Sequence, residues 1–154
     1  ILTNNSKIGL GIFTADCLPI IFYDDKYHSV AVVHAGWRGA LAGIATKTMN
    51  KIISLNGSSP ENIQIYFGPS AKGCCYQVGE DFLANLKNEN SILRTNGSIY
   101  FDLAEHVKDE LIASGINKNR IDQQFCICTI CNNQFWSYRR DKNAGRQIIA
   151  AWLR

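Results

Sequence analysis

The sequence predicts an α/β (α+β) fold in which a layered, mixed β-sheet is flanked by helices. Short apolar runs bounded by turn residues are typical of buried strands, and they occur first at residues 8–13, 18–23 and 29–34. Segments with apolar residues at helical spacing follow, and the two patterns alternate along the chain. With 154 residues, 46% of them hydrophobic, and no linker or repeat, the chain is expected to form one domain over 1–154.

The second and third apolar runs predict an antiparallel hairpin. Residues 18–23 end at a charged turn that begins with Asp24, and the β-branched run 29–34 follows after a tight connection. Cys17 stands just before the first strand and His34 ends the second. We therefore expect the two side chains near the same open end of the hairpin.

A helix and a further strand are predicted in the middle of the chain. After Gly39, apolar residues follow helical spacing as far as Leu55, and Asn56-Gly57 predicts the end of this helix. Alternation over 62–68 predicts a strand. A short helix is expected from about Glu80 to Leu86.

The last third of the chain contains one strong helix signal and two strand-like runs. Asp102 and Glu105 form the pattern of a capping box, and Gly115 predicts the end of the helix that follows. The runs 134–140 and 146–153 are predicted to be two strands joined by a turn.

The charge distribution excludes some partners. The formal net charge of +3, from 16 basic and 13 acidic residues, is too small to indicate a nucleic-acid or membrane partner. No apolar stretch is long enough to span a membrane and no signal peptide is recognised, so a cytoplasmic location is expected. Basic residues near the end of the sequence predict either an anion-binding face or a solvated surface: Arg139, Arg140, Lys142, Arg146 and Arg154.

Cys17 and His34 allow three interpretations. A thiolate and an imidazole are good zinc ligands, although a catalytic zinc site takes three protein ligands and water. The same pair can form a nucleophile and its base. The third interpretation is a buried cysteine and a structural histidine without chemistry.

The turn after His34 predicts a binding function. Gly36 and Gly39 let the backbone approach a ligand, and the helix that follows offers unpaired N–H groups. Arg38 adds a planar cation suited to phosphate or carboxylate. A turn that only packs Trp37 into the core would explain the aromatic residue but not the rest.

Five further cysteines lie outside this hairpin. Cys126, Cys128 and Cys131, together with Cys74 and Cys75, have spacings that allow a structural four-cysteine zinc site. In a strand over 125–130, however, Cys126 and Cys128 share one face and Cys131 falls in the next turn. Core packing and incidental thiols are therefore the preferred interpretation.

Four sequence blocks resemble one family along nearly the whole chain. The blocks are "TADCLPI", "VVHAGWRGALAGI", "FGPSAKGCCYQVGEDF" and "CTIC…FWSYRRDKNAGRQ". They are similar to successive signatures of the YfiH family, also called the multicopper polyphenol oxidase or laccase-domain family. The resemblance implies a layered α/β fold, grouped with cysteine hydrolases, that carries a zinc site of two histidines and one cysteine.

By this resemblance Cys17 and His34 are the cysteine and one histidine of the zinc site. The other histidine of the family pattern belongs upstream of Ile1, and neither His28 nor His106 matches its motif. The chain begins without a methionine, so we expect it to lack the N-terminal part of its domain, with the third ligand.

The resemblance implies two activities, and the residues favour one. A four-copper oxidase needs about ten histidines, whereas this chain has three. Purine nucleoside phosphorolysis (adenosine, inosine, guanosine and methylthioadenosine) and adenosine deamination fit better, with zinc rather than copper as cofactor. Arg38 is expected to bind phosphate or substrate with help from Arg139 or Arg140, and Asp16 to orient a ligand or move a proton. A metal-free cysteine hydrolase and an inactive fragment or binding module are the alternatives.

Overall fold

The computed structural model describes residues 1–154 and contains ten strands, four helices and two short 3-10 turns. The strands are β1 (Leu2–Thr3), β2 (Leu10–Thr14), β3 (Leu18–Asp24), β4 (Ser29–Ala35), β5 (Ile63–Phe67), β6 (Gln77–Val78), β7 (Ile92–Thr95), β8 (Ser98–Phe101), β9 (Ile121–Asp122) and β10 (Gln147–Ala151). The helices are α1 (Trp37–Leu41), α2 (Ile44–Asn56), α3 (Glu80–Leu83) and α4 (Leu103–Ala113). The predicted α/β architecture is confirmed.

The largest sheet is a mixed five-stranded sheet in the order β1-β4-β3-β5-β9. Its first four strands are antiparallel neighbours, and β9 joins β5 in parallel. The predicted hairpin of β3 and β4 is confirmed, with Leu18 opposite Ala35 and Pro19 opposite His34. Strand alternation on β4 decides which residues face each side of this sheet.

One face of this sheet packs on α2 and α4 and forms the main core. Ala31 and Val33 of β4 lie on this face with apolar residues of β3, β5 and the two helices. The largest fully buried members are Leu18, Ile20, Phe22, Ile63, Ile65, Met49, Ile52, Leu103, Val107 and Leu111. Alternation leaves Val30, Val32 and His34 on the opposite face.

The opposite face is covered by a two-stranded ribbon. Strand β10 pairs antiparallel with β2, so that Ile149 lies opposite Ile12. Leu10 of β2 packs with Val30 and Val32 in a second, smaller core. The molecule therefore has three layers, namely helices, the five-stranded sheet and the ribbon.

A third sheet, in the order β6-β8-β7, lies beside the main core. It is tied to the loop before β6, because the N–H of Gly73 donates a hydrogen bond to the Asp102 carboxylate at 3.1 Å. A Cβ atom on Gly73 would meet Leu93 and Asp102, so this close approach requires glycine.

Two helix predictions need correction. The helix expected after Gly39 is two helices, since Gly43 adopts a left-handed conformation with φ of 75° and separates α1 from α2. Its predicted end at Gly57 is confirmed. At α4, Asp102 accepts the N–H of Glu105 as predicted, but the Glu105 carboxylate pairs with Lys108 instead of completing the capping box.

The predicted strand over 134–140 is wrong. These residues form turns, in which polar groups satisfy the backbone: Ser137 Oγ accepts the N–H of Arg140, and Gln147 accepts the N–H of Trp136. The run 146–153 does contain a strand, β10, but its partner is β2. None of the helices combines the length and hydrophobicity that crossing a membrane requires.

Candidate active site

Cys17 and His34 lie at the same end of the β3–β4 hairpin. Extending the pairing beyond Leu18 and Ala35 brings Cys17 opposite Gly36. A Cβ atom on Gly36 would stand 3.2 Å from the Cys17 sulfur, so glycine leaves the space that the thiol occupies. By alternation Cys17 and His34 project from the same face of the sheet, and the imidazole of His34 is exposed. One thiol and one imidazole on one face are ligand types that zinc takes, and the assignment of Cys17 and His34 as zinc ligands stays a prediction.

The surroundings of Cys17 favour the protonated thiol. Burial raises the pKa of Cys17, and the neighbouring Asp16 carboxylate raises it further, while Arg146 acts in the opposite direction. A nucleophilic cysteine needs a lowered pKa. Without a bound cation, this environment therefore gives a weak nucleophile.

Asp16 connects three segments around Cys17. Its carboxylate accepts hydrogen bonds from Thr129 Oγ1 and from the N–H of Arg139, both at 2.7 Å. Its carbonyl accepts the N–H of Ala71 at 2.8 Å. Asp16 has a φ of 81°. This conformation costs energy for residues other than glycine, and it often occurs at functional sites. The carboxylate therefore acts as an anchor for two loops beside the thiol.

A cavity of about 310 Å³ opens beside Cys17. Its walls combine three aromatic side chains with two cations, and the lining residues are Ala15, Asp16, Cys17, Trp37, Tyr76, Leu103, Tyr138, Arg139 and Lys142. A second cavity, of about 470 Å³, shares Trp37, Tyr76 and Arg139 with the first. Together they form a cleft, which we call the Cys17 cleft, with flat apolar surfaces and positive charge.

The cations of the Cys17 cleft lie over aromatic rings. The guanidinium of Arg139 lies 4.9 Å from the ring centre of Tyr76 and donates a hydrogen bond to the carbonyl of Gln77 at 3.0 Å. The ammonium of Lys142 lies 4.2 Å from the ring centre of Tyr138. Arg139 and Lys142 are among the basic residues for which the sequence predicts an anion-binding face or a solvated surface, whereas Tyr76 and Tyr138 were missed, although they stand next to the "CC" and "RR" pairs in the family-like blocks.

The predicted anion-binding turn has a different form. Gly36 caps α1, but this helix has only five residues and ends before Gly43, so its dipole is small. The guanidinium of Arg38 stacks 4.2 Å from the ring centre of Trp37 on the exposed side. A Cβ atom on Gly39 would make only an ordinary contact with Ile44. Binding by Gly36, Arg38 and Gly39 stays a prediction.

Arg140 has a structural environment. Its guanidinium donates hydrogen bonds to the carbonyls of Thr129, Ile130, Asn132 and Phe135, at 2.6 to 3.4 Å. These bonds hold the loop over 129–135 and use most of the five N–H groups of the side chain. Its predicted part in phosphate binding stays untested, and Arg139 is the residue of this pair that lines the cleft.

Four of the remaining cysteines form a cluster. The sulfur atoms of Cys74, Cys75, Cys128 and Cys131 all lie within 4.8 Å of one another. The strand expected over 125–130 is wrong, since only Cys128 makes a β-bridge there, to Ser70. Cys126 is outside the cluster and contacts Ser70 and Lys72.

The sulfur atoms of the cluster differ in acidity. Burial opposes ionisation of Cys128, but backbone N–H groups of Cys131, Lys72 and Ile130 outweigh it and lower the pKa to about 7. Burial raises the pKa of Cys75 to about 11, and burial together with hydrogen bonds to Cys75 and Cys128 raises that of Cys74. Without a cation the cluster therefore favours one thiolate among neutral thiols.

Comparison with known proteins assigns the family. A model of the family described as multi-copper polyphenol oxidoreductase laccase matches residues 1–154. The chain belongs to this laccase family. Similar members include proteins called purine nucleoside phosphorylase from Aquifex aeolicus, 36% identical over 97% of this chain, and from Clostridium acetobutylicum, 34% identical over 96%.

Solved structures of the laccase family have the same fold. YfiH of Bacillus licheniformis superposes with a TM-score of 0.90 at 30% identity, and YlmD of Geobacillus stearothermophilus with 0.89 at 28%. Each match covers 99% of this chain and 60% of the solved chain. The chain likewise spans 68% of the Aquifex and 64% of the Clostridium relative, so it corresponds to about two thirds of their length.

Proposed function

We propose that this laccase-family chain belongs to a zinc-dependent purine nucleoside enzyme that carries out phosphorolysis and adenosine deamination. The observation that carries the proposal is the Cys17 cleft, where aromatic rings and cations surround the predicted zinc ligand. Flat aromatic surfaces suit a purine base, and cations suit phosphate. The relatives called purine nucleoside phosphorylase support the same assignment.

Cys17 and His34 would hold the zinc, and a histidine from outside residues 1–154 would complete the ligand set. When bound, zinc supplies a Lewis acid and activates water, which is the chemistry that removal of the purine 6-amino group needs. Burial raises the pKa of Cys17, so zinc binding would have to displace the thiol proton to form the thiolate ligand.

Phosphorolysis requires a phosphate-binding site close to the ribose of the nucleoside. A phosphate oxygen attacks C1′ of the ribose, the bond from C1′ to the purine nitrogen breaks, and the base leaves with that electron pair. Arg139 and Lys142 would orient the phosphate, while Trp37, Tyr76 or Tyr138 would stack on the base. Asp16 would position this arrangement through the loop that carries Arg139.

Two other activities are less well supported. The family description favours copper-dependent phenol oxidation as the second candidate. The three histidines lie on different elements, namely the turn after β3, strand β4 and helix α4, and do not form a cluster of copper ligands. A metal-free cysteine hydrolase is disfavoured by the raised pKa of Cys17, because a nucleophilic cysteine needs a lowered one.

Incubation with adenosine and phosphate tests the proposal. Zinc-loaded protein should release adenine and ribose 1-phosphate, and also inosine, as followed by chromatography. Cys17→Ser and His34→Ala should abolish both activities, while Cys126→Ser, outside the cleft, should keep them. Turnover that survives Cys17→Ser would refute the assignment. Phenol oxidation with copper and no nucleoside turnover would favour the second candidate, and no turnover with either metal would leave the binding-module interpretation.

A further inference from the structure

The four-cysteine cluster joins two loops that are distant in sequence. Cys74 and Cys75 lie in the turn before β6, whereas Cys128 and Cys131 lie in the turn after β9. Cys128 is 7% exposed, while Cys74 and Cys131 lie at the surface. Their sulfur atoms lie within 4.8 Å of one another, and no other group of three or more His, Cys, Asp or Glu side chains in residues 1–154 comes together in this way.

Backbone bonds hold the two loops in this position. Ser70 pairs with Cys128 in a parallel bridge, through hydrogen bonds from the N–H of Ser70 to Ile127 and from the N–H of Thr129 to Ser70. In the other loop, the N–H groups of Cys75 and Tyr76 both bond to the carbonyl of Lys72. The scaffold therefore brings the sulfur atoms together through contacts that do not involve them.

The spacing of the sulfur atoms suits a tetrahedral ion. Zinc binds four thiolates at about 2.3 Å, which places the sulfur atoms about 3.8 Å apart. No separation in the cluster exceeds this by more than about 1 Å, a difference that side-chain rotation of the exposed Cys74 and Cys131 can close. Cys128 and Cys131 also have the two-residue spacing of a zinc-binding turn.

Two cations lie near the loops that carry the cluster. A zinc ion with four thiolates carries two net negative charges, and such sites are stabilised by nearby cations and hydrogen-bond donors. The Lys72 ammonium lies 3.8 Å from the sulfur of Cys126, and Cys126 is close to Cys128 in sequence. The Arg140 guanidinium is bonded to the carbonyls of Thr129 and Ile130, which lie between Cys128 and Cys131.

We propose that Cys74, Cys75, Cys128 and Cys131 form a closed structural zinc site, separate from the site proposed at Cys17 and His34. All four positions of the ion are taken by protein ligands, so the site has no place for substrate. Its role is to fasten the two loops, which carry Tyr76 next to Cys75 and Thr129 next to Cys128. Through these neighbours the ion would hold one wall of the Cys17 cleft in place.

Metal analysis of the purified chain tests this proposal independently of activity. Protein carrying Cys17→Ser and His34→Ala lacks the ligands of the other site, so any tightly held zinc belongs to the cluster. We expect one zinc per chain in this background after anaerobic purification and dialysis. Adding Cys74→Ser or Cys131→Ser, both at surface positions, should lower the zinc content at least severalfold, whereas adding Cys126→Ser should leave it unchanged.

Cobalt gives a second readout that needs no substitution in the cluster itself. Cobalt bound to the same background should show the strong thiolate-to-metal absorption and the visible bands of a tetrahedral four-sulfur site. Both should disappear when zinc is added. In the zinc-loaded background Cys74, Cys75, Cys128 and Cys131 should resist alkylation, and chelation should expose them.

Three results would overturn the proposal. One is a background protein that binds neither zinc nor cobalt with its thiols reduced. Another is zinc content that stays at one per chain after Cys74→Ser and Cys131→Ser are combined. The last is a disulfide between cysteines of the cluster, found by mass spectrometry under anaerobic conditions. None of these results bears on the nucleoside activity, because the background already lacks Cys17 and His34.

Discussion

The hydroxyl of Thr129 donates a hydrogen bond of 2.7 Å to the carboxylate of Asp16, across a sequence separation of 113 residues. This bond joins the residue before Cys17 to the loop that follows Cys128. The second carboxylate oxygen accepts the N–H of Arg139 at the same distance. Asp16 thus connects the hairpin with both loops whose residues line or support the Cys17 cleft.

Substitution of Asp16 should reduce both stability and activity. Asp16→Ala removes two charge-assisted bonds and leaves alanine in a left-handed conformation, which together should cost about 2–4 kcal/mol. Asp16→Asn keeps one good acceptor and tolerates the positive φ, so it should cost less than half as much. Urea unfolding measures the two free energies, and nucleoside assays measure kcat/KM. Equal losses for both variants would contradict the role of the carboxylate as an anchor.

Gly36→Ala should affect the thiol of Cys17 without a large change in stability. Gly36 has a φ of −73°, which alanine adopts freely, so the effect comes from the methyl group 3.2 Å from the sulfur. We expect kcat/KM to fall about tenfold because the sulfur is displaced. Gly9→Ala is the matched control, since Gly9 does not line the cleft and a methyl group there would meet no atom within 4 Å. Equal activity of the two variants would contradict this interpretation.

The neighbouring arginines should respond in different ways to substitution. Arg139→Ala removes a cation from the cleft and should raise the KM for phosphate by about 10–100-fold. Arg140→Ala removes bonds to four carbonyls and should lower the free energy of unfolding by about 1–3 kcal/mol, with a smaller change in KM. Kinetics at varied phosphate and urea unfolding separate the two effects. If the KM for phosphate rose in Arg140→Ala but not in Arg139→Ala, then Arg140 would be the phosphate-binding residue of the pair.

His106 should make the protein sensitive to acid. Burial lowers the pKa of His106, against the opposite influence of Glu110 and Asp109. The folded protein therefore favours neutral imidazole, which contributes stability above the unfolded pKa of about 6.5 and loses it as pH falls through the lower folded pKa. When the pH is lowered from about 7 to about 5, the free energy of unfolding should fall less in His106→Gln than in the native chain. Identical pH dependence of the two proteins would refute this role.

Patterns in the sequence predicted most regular elements but not how the last segment pairs. Alternation and capping residues located β3, β4, β5, α2 and α4, because each has a continuous buried face. The segment 134–140 is also rich in aromatic residues, yet it forms turns. Its hydrogen bonds depend on Asp16, Gln147 and Ser137, and contacts with Asp16 across the whole chain are not encoded in local periodicity.

The candidate site was predictable where residues were adjacent in sequence to recognisable motifs. Cys17 and His34 stand at strand ends, and the hairpin register follows from its short turn. The aromatic wall of the Cys17 cleft had no such local signal, and the cysteine spacings allowed a four-cysteine site without deciding that the four sulfur atoms meet. Both depend on the approach of the loops around Gly73 and Thr129, which is a tertiary property.

The β2–β10 ribbon pairs Leu10–Thr14 with Gln147–Ala151, and it covers the face of the sheet from which His34 projects. Such long-range pairing slows folding, since loop-closure entropy is lost when two segments distant in sequence come together, before their contacts compensate for it. During synthesis, β2 has no partner strand until β10 has left the ribosome. The apolar residues Val30 and Val32 stay exposed to solvent until then. We therefore expect nascent chains to need protection from aggregation until that point, and the active-site region to be among the last parts to mature.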